Sequence, residues 1–277
     1  MEVAIVTDST ADLPLDKLEE HNINLIPLKV IIDGEEYIDQ VELTTKEFLD
    51  KLEETEGLPT TSQPALGKFI ELYEELAEDY DYILSLHISE KLSGTFQTAQ
   101  TASTMVPGVE IEVVDSKLVS ASLGTLVLKV AKAAQQGKSM EELLDLVEEL
   151  KEEIHLYFTV EELDYLEKGG RIGKAEAFLG NLFKIRPLLT VTEGEVDPYK
   201  KIRGERRLYN SFLNIASEKR SEGSNNLIIL YGNNKDKANI LKDKLVAEYK
   251  WDQVQMQRFG AVVGAHVGPT PFGMVIY

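Results

Sequence analysis

Short apolar segments and helical patterns alternate through the first half of the chain, with a polar turn after each apolar segment. The apolar segments of this half include residues 3–6, 82–86 and 110–114. A crossover helix returns the chain to the end of the sheet at which the previous strand began. This alternation therefore predicts parallel strands covered by helices. The first half is therefore predicted to form a three-layer α/β/α domain with a parallel sheet.

A second α/β unit is predicted to begin at the strand pattern of residues 156–160. The later patterns are strands near 187–192, 226–231, 253–259 and 273–277, and helices near 205–220 and 235–249. A length of 277 residues favours two domains over one. The predicted domains are residues 1–155 and 156–277. The hairpin of residues 25–41, which turns at Asp33-Gly34, fits either domain.

The composition excludes several classes of partner and site. The chain has 48 acidic and 29 basic residues and a formal net charge of −19, which repels nucleic-acid phosphates and anionic membranes. The absence of cysteine excludes disulfides, thiolate catalysis and cysteine-ligated metal sites. The first residues enter a strand without a basic leader. No apolar run approaches the roughly 18 residues of a membrane span, so we expect a cytoplasmic protein.

Hydroxyl-bearing turns follow the predicted strands of the first half. They lie at residues 7–10, 89–95 and 115–116. Ligands of α/β sheets bind at the carboxyl ends of the strands, so these turns are the expected site. Ser93, with Gly94 beside it, lies in a turn from strand to helix, where a structural turn and a ligand contact are equally good interpretations. Thr61 and Ser62 precede another helix, where a helix cap or the capture of an anion fits.

The lone imidazole of His266 stands between glycines, in the segment Gly264-Ala265-His266-Val267-Gly268-Pro269. Close glycines let a backbone approach a ligand, and an imidazole there can donate a hydrogen bond near neutral pH. The alternative is a serine-dependent acyl-ester hydrolase in which Ser93 is the nucleophile and His266 the base. Against it, Ser93 lacks the G-x-S-x-G pattern and His266 has no acid partner by spacing.

Known metal and nucleotide motifs are absent from the sequence. The other three histidines form no ligand spacing with His266. There is neither a P-loop nor a G-x-G-x-x-G segment. We therefore predict no metal and no nucleotide cofactor.

Basic residues are sparse, and many of them occur in two stretches. The first stretch contains Lys168, Arg171, Lys174, Lys184 and Arg186. The second contains Lys200, Lys201, Arg203, Arg206 and Arg207. On a chain of this net charge, each stretch is either ordinary solvated charge or a docking surface for an acidic or phosphate-bearing partner.

Taken together, these segments resemble the DegV family of bacterial fatty-acid-binding proteins. The matching motifs occur in the family's order and span nearly the whole chain. They are Thr7-Asp8-Ser9-Thr10-Ala11-Asp12-Leu13, Thr61-Ser62-Gln63-Pro64, Leu92-Ser93-Gly94-Thr95-Phe96-Gln97, Asp115-Ser116, Leu166-Glu167-Lys168-Gly169-Gly170-Arg171-Ile172 and Gly264-Ala265-His266-Val267-Gly268-Pro269. Each motif is weak alone, whereas the ordered set is specific. The departures from the family pattern, at Ala65, Phe96 and Thr270, concern loop detail.

The resemblance implies a two-domain α/β fold, with a parallel sheet in an N-terminal three-layer domain and a mixed sheet in a C-terminal two-layer domain. It also implies one long-chain fatty acid, such as palmitate or oleate, held between the domains. The positions that match the family's carboxylate site are Thr61, Ser62, Ser93, Gly94 and His266. Several relatives present the bound carboxylate to a fatty acid kinase, which phosphorylates it to an acyl phosphate. Arg171 and Arg203 match positions associated with docking of that kinase.

We therefore predict a non-catalytic lipid-binding subunit whose ligand is a fatty acid and whose partner is a separate kinase. Transient contact with a membrane is compatible with this role. A lipid sensor or storage module without a kinase is a further alternative. An amphipathic helix is predicted over residues 175–183. Its Phe178, Leu179 and Leu182 are candidates for a lid over the acyl chain, with ordinary core packing as the competing interpretation.

Overall fold

The computed structural model of this chain describes residues 2–55, 57–179 and 185–277. Its strands are β1 (Val3–Asp8), β2 (Ile23–Ile26), β3 (Lys29–Ile32), β4 (Glu35–Ile38), β5 (Thr60–Ser62), β6 (Tyr82–His87), β7 (Glu110–Asp115), β8 (His155–Thr159), β9 (Ile185–Thr192), β10 (Glu195–Arg203), β11 (Asn226–Tyr231), β12 (Gln253–Arg258) and β13 (Phe272–Ile276). Its α-helices are α1 (Leu15–Glu20), α2 (Thr45–Glu54), α3 (Leu66–Leu76), α4 (Thr95–Ser103), α5 (Ala121–Gln135), α6 (Met140–Glu153), α7 (Asp164–Lys168), α8 (Glu205–Ser221), α9 (Lys235–Glu248) and α10 (Ala261–Val267). Short 3-10 helices cover Ser9–Ala11 and Gly173–Phe178.

The N-terminal sheet is parallel throughout, in the strand order β2-β1-β6-β7. Successive residues of a strand point to opposite faces, so β1 and β6 contribute to two cores. Ala4, Val6 and Ile83 pack with residues of α3 and α4, whereas Ile5 and Leu84 pack with residues of α5 and α6. Helices therefore cover both faces, and the predicted three-layer α/β/α arrangement is confirmed.

The C-terminal sheet is mixed, in the order β10-β9-β8-β13-β11-β12. Its strands pair antiparallel except β11 with β12, which pair parallel. On one face, Tyr157 and Met274 pack with residues of α8 and α9. On the other face, Leu156 and Phe158 join the core that surrounds α5 and α6. The predicted mixed sheet is confirmed, and this second face is the one that meets the N-terminal half.

A small antiparallel sheet, in the order β4-β3-β5, forms the third piece of the fold. The predicted turn at Asp33-Gly34 is present, and both residues have positive φ, 51° and 86°, as the tight hairpin turn requires. Residues 25–32, the first arm of the predicted hairpin, do not form one strand but divide between β2 and β3. The break falls at Pro27, which has no N–H to donate to a sheet ladder.

The short helix α10 packs on this small sheet and on α2. Val30 of β3, Phe48 of α2 and Ala265 of α10 belong to one buried cluster. A Cβ at Gly264 would lie 2.7 Å from the Phe48 ring, so glycine is needed for the helix to approach this closely. The packing fixes the position of the glycine–histidine segment relative to β5.

Two local predictions are wrong. Thr61 and Ser62 lie in strand β5 and not in a capping turn, because Thr61 pairs with Val30 of β3. The helix predicted over residues 175–183 is replaced by the 3-10 helix Gly173–Phe178, and residues 180–184 lie outside the described residues. Gly173 has a positive φ of 51° and packs against the Val196 carbonyl, so contact with β10 determines this segment.

We predict that Phe48→Ala lowers the free energy of unfolding by about 3–5 kcal/mol, because the fully buried ring fills the cluster beneath α10. Leu15→Ala, at a side chain that is 56% exposed, is the control and is expected to change stability by less than about 0.5 kcal/mol. Chemical denaturation measures both values. A loss below about 1 kcal/mol for Phe48→Ala would contradict this packing.

Candidate functional site

A slot lies between the two large sheets and is closed on one side by α10. The space within it, counted out to its open mouth, is about 630 Å³. Its apolar lining consists of Leu28, Ile88, Leu92, Val119, Leu156, Phe158, Leu166, Val191, Val196, Phe259, Val262, Val263 and Val267. Its polar lining consists of Thr10, Thr61, Ser93, Ser120, Arg171 and His266. The slot suits a long apolar ligand that has one polar end.

A hydrogen bond between Thr61 Oγ1 and His266 Nε2, 2.8 Å long, connects the small sheet to α10. Thr61 comes from β5 and His266 from the last turn of α10, 205 residues away in sequence. Glycines shape the space around the ring, because a Cβ at Gly169 would overlap His266 Nδ1. The His266 Nδ1 atom is buried and has no hydrogen-bond partner among the described residues.

The imidazole of His266 is neutral in this setting. Burial and, to a smaller extent, the nearby Arg171 guanidinium together lower its pKa from 6.5 to about 4. At neutral pH the ring therefore carries one proton, on Nδ1 or Nε2. It acts as a hydrogen-bond partner of Thr61 and not as a counter-ion.

Ser93 lies at the end of a tight turn that follows β6 and precedes α4. Its hydroxyl is 2.9 Å from Thr95 Oγ1, and either oxygen can be the donor. Gly94 is the N-cap of α4, and the N–H groups of the first helical turn have no partner within the helix. Hydroxyl and amide donors of this kind, together with the helix dipole, favour an anion beside Ser93.

Gly94 also joins two of the sequence motifs. A Cβ there would overlap the side-chain amide of Gln63, whose Nε2 donates to Thr98 Oγ1 across 2.6 Å. The segment that carries Thr61 thus lies directly against the start of α4.

The cation in the described slot lining is Arg171, and its side chain is half-buried. Its Nε donates to the Leu92 carbonyl at 2.9 Å, and its Nη1 donates to the Gly169 carbonyl at 2.6 Å. It therefore holds the backbone beside Ser93 and the backbone beside His266. Arg171 lies in the slot wall, and the docking role that the resemblance implies for it stays a prediction.

The other predicted site residues that the structure describes lie outside the slot lining. Ser62 lies on the face of β5 that is opposite Thr61. Gly94 does not line the slot and follows Ser93 in the turn before α4. Phe178 and Leu179 pack at the edge of the main core, with the Lys201 ammonium 4.9 Å from the Phe178 ring centroid. Leu182 lies outside the described residues.

The two basic stretches have different surroundings in the structure. In the first, Lys168, Lys174 and Arg186 form ion pairs with acidic neighbours. In the second, a surface depression is lined by Lys200, Lys201, Arg203, Arg207, Asn210, Ser211 and Asn214, together with residues 185 and 202. Arg203 is exposed there.

Sequence reasoning missed a buried hydrogen-bond chain behind the slot. Tyr73 donates to Ser85, Ser85 Oγ lies 2.7 Å from His87 Nε2, and His87 Nδ1 lies 2.9 Å from Asp8 Oδ2. Asp8 also accepts from the backbone N–H groups of Thr10 and Ile88, which both line the slot. All three members of this Ser–His–Asp arrangement are fully buried, so it supports the slot wall without reaching a ligand. Asp8 and His87 are the last residues of the adjacent strands β1 and β6, and this placement is the signal that could have identified them.

Two classes of site are not found in the part of the chain that the structure describes. No three histidine or carboxylate side chains in it come together to hold a metal ion. Its helices are all too short or too polar to traverse a bilayer.

We predict that the His266 ring titrates near pH 4 in the ligand-free protein, whereas the unfolded chain titrates near 6.5. Because the folded pKa is the lower one, protonation favours unfolding. The contribution of this group to stability is complete above about pH 6.5 and is lost as the pH falls toward 4. An NMR titration of the histidine ring carbons measures this pKa, and the His266→Gln variant identifies which signals belong to His266. A midpoint near 6.5 in the folded protein would contradict the burial of this ring.

Comparison with known proteins agrees with this architecture. Residues 2–277 match the family model described as "Uncharacterised protein, DegV family". Protein DegV of Bacillus subtilis is 35% identical over 276 residues, which cover 99% of this chain and 98% of that protein. A DegV family protein from Thermus thermophilus, described as binding fatty acid, superimposes with a TM-score of 0.93 at 36% identity and covers 100% of this chain and 99% of its own.

A second solved structure gives the same result. The structure of DegV from Bacillus subtilis, described as a fatty acid binding protein, has a TM-score of 0.90 at 34% identity. It covers 100% of this chain and 99% of its own. The family model and these relatives extend over essentially the whole sequence, so this chain belongs to the DegV family.

Proposed function

We propose that this protein binds one long-chain fatty acid in the slot, with the carboxylate at Thr61 and Ser93, and presents it to a separate fatty acid kinase. The observation that carries the proposal is an apolar slot that has a hydroxyl bonded to a neutral, buried imidazole at its wall. The relatives described as fatty-acid-binding proteins support the choice of ligand.

The hydrogen-bond directions at Thr61 follow from the ligand. The Thr61 hydroxyl has one proton, so it donates to a carboxylate only if His266 Nε2–H donates to the hydroxyl oxygen. This tautomer leaves Nδ1 as an unpaired acceptor, in agreement with its lack of a partner. The Ser93 hydroxyl and the free amides at the start of α4 supply further donors. A buried carboxylate thus receives the hydrogen bonds that it needs.

The acyl chain supplies most of the binding energy. Each buried methylene is worth about 0.8 kcal/mol, so a sixteen-carbon chain gains on the order of 10 kcal/mol before the costs of association. The thirteen apolar residues of the lining provide that surface. Long-chain fatty acids such as palmitate or oleate are the proposed ligands.

The donor set suits presentation of the carboxylate. A bidentate arginine would occupy both oxygens, but Nε and Nη1 of Arg171 are already bonded to backbone carbonyls. Hydroxyl donors leave an oxygen available for phosphorylation by a partner. The basic depression around Arg203 contrasts with the net charge of −19 and would fit an acidic surface of that kinase.

The hydrolase alternative has no supporting contact among the described residues. Ser93 Oγ is bonded to Thr95, and His266 Nε2 is bonded to Thr61. His266 Nδ1 has no acid to orient it. A serine nucleophile requires a base bonded to its hydroxyl and an acid that orients the base.

We predict that Thr61→Val and Ser93→Ala each weaken palmitate binding by about 10–100-fold, because each removes a hydrogen bond to a buried charge. Ser62→Ala is the matched control, since this hydroxyl lies on the other face of the same strand, and we expect a change below about twofold. Isothermal titration with delipidated protein measures the dissociation constants. Equal effects of Thr61→Val and Ser62→Ala would overturn the assignment of the carboxylate site.

We predict that Arg203→Glu leaves palmitate affinity unchanged and lowers kinase-dependent formation of acyl phosphate by about tenfold or more, because it reverses a charge in the proposed docking surface. Lys46→Glu, at an exposed position of helix α2, is the control for a simple change in net charge. The assay contains a bacterial fatty acid kinase subunit, ATP and palmitate. If the protein binds palmitate but no kinase phosphorylates it, the sensor or storage alternative replaces the kinase role.

A further inference from the structure

Ser89 connects the Ser93 turn to the rest of the N-terminal half. Its carbonyl accepts from the backbone N–H groups of Leu92 and Ser93 at 3.0 and 3.1 Å, which closes the turn. Its own N–H donates to the Leu118 carbonyl at 3.0 Å. Its hydroxyl oxygen accepts from the Lys91 N–H at 3.2 Å. The side chain is fully buried, so this one residue determines the shape of the turn that carries Ser93.

The same hydroxyl reaches the C-terminal half. Ser89 Oγ donates to the Gly194 carbonyl at 2.6 Å, at the turn of the β9–β10 hairpin. Gly194 has a positive φ of 79°, and a Cβ there would overlap the Ser89 hydroxyl. No residue with a side chain therefore fits this contact. Val191 and Val196, on either side of the turn, both line the slot.

Two ion pairs connect the hairpin turn to the N-terminal half from its exposed side. Lys117 Nζ lies 2.6 Å from Glu193 Oε2, and Lys91 Nζ lies 3.2 Å from Glu195 Oε1. The lysine of each pair is solvent-exposed, so each pair is weak and is screened by salt. The buried bond from Ser89 differs from them because its donor also belongs to the Ser93 turn.

We propose that Ser89 is a positioning residue that couples the carboxylate-binding turn at Ser93 to the position of the β9–β10 hairpin, whose Val191 and Val196 line the slot. The inference rests on the proposed function, since it needs a ligand that has both a carboxylate and an acyl chain. A carboxylate held by Ser93 fixes the turn of residues 89–93, and the fixed turn keeps the Ser89 hydroxyl on Gly194. Release of the acid then requires the hairpin bond and the carboxylate contact to break together.

A comparison of two ligands separates coupling from simple support of the fold. Hexadecanoic acid and hexadecan-1-ol share a chain length, but only the acid has a carboxylate. We expect Ser89→Ala to accelerate release of the acid by about tenfold more than release of the alcohol, the effect of one buried hydrogen bond. Stopped-flow displacement by an excess of a fluorescent fatty acid measures both rates. Equal acceleration of both ligands would overturn the coupling.

Lys117→Met is the matched control, because it loosens the hairpin turn without changing the Ser93 turn. We expect it to accelerate release of both ligands equally, by less than about threefold, with a smaller effect at high salt. If Lys117→Met accelerated release of the acid over release of the alcohol as much as Ser89→Ala does, the proposed role of Ser89 would be overturned. Ser89→Cys keeps a weak donor of similar size and is expected to lie between wild type and Ser89→Ala; it replaces Ser89→Ala if circular dichroism shows that the latter does not fold. Wild-type protein that fails to bind hexadecanoic acid contradicts the proposed function, whereas binding with equal release effects contradicts only the coupling.

Discussion

The hydrogen bond between Thr61 and His266 is the interaction on which the site depends, because it joins two pieces of chain that are 205 residues apart. It forms only if α10 lies against the small sheet, and that requires the glycine at 264 to admit the Phe48 ring. It also requires the glycine at 169 to leave room for the imidazole. The glycine at 264 is thus explained by the space that the Phe48 ring needs, and the glycine at 169 by the space that the His266 ring needs.

Electrostatics near the slot differ from those of the whole molecule. The chain carries a net charge of −19, which opposes an anionic ligand at long range. At short range the start of α4, the Thr61 and Ser93 hydroxyls and the Arg171 guanidinium all favour a negative charge. Since these groups are partly or fully out of water, their local effect outweighs a field that salt screens. A neutral His266 adds a hydrogen-bond partner to this set without adding a second cation.

Much of the architecture could be predicted from the sequence because it follows local rules. Alternation of strand and helix gave the parallel sheet, and Asp33-Gly34 gave the hairpin turn. Local rules failed where a distant contact decided the outcome. The run 25–32 divides at Pro27 because its two halves join different sheets. The segment before residue 180 forms a 3-10 helix because Gly173 packs on β10.

Only part of the site could be predicted from the sequence, for the same reason. Thr61, Ser93 and His266 were chosen from residue type, glycine neighbours and family resemblance, and the fold places all three in the slot lining. The position of Arg171 in the slot wall was not predictable, because its partners are backbone carbonyls of distant turns. Ser89 and the Asp8–His87 pair were equally hidden, since their roles depend on contacts across the sheet and across the two halves.

Native mass spectrometry of the protein purified from a bacterial host tests the central claim most directly. The account predicts a main species heavier than the polypeptide by the mass of one C16 or C18 fatty acid, with the excess released on denaturation and restored when palmitate is added back. A protein that carries no acyl ligand and gains none on incubation with palmitate or oleate would contradict it.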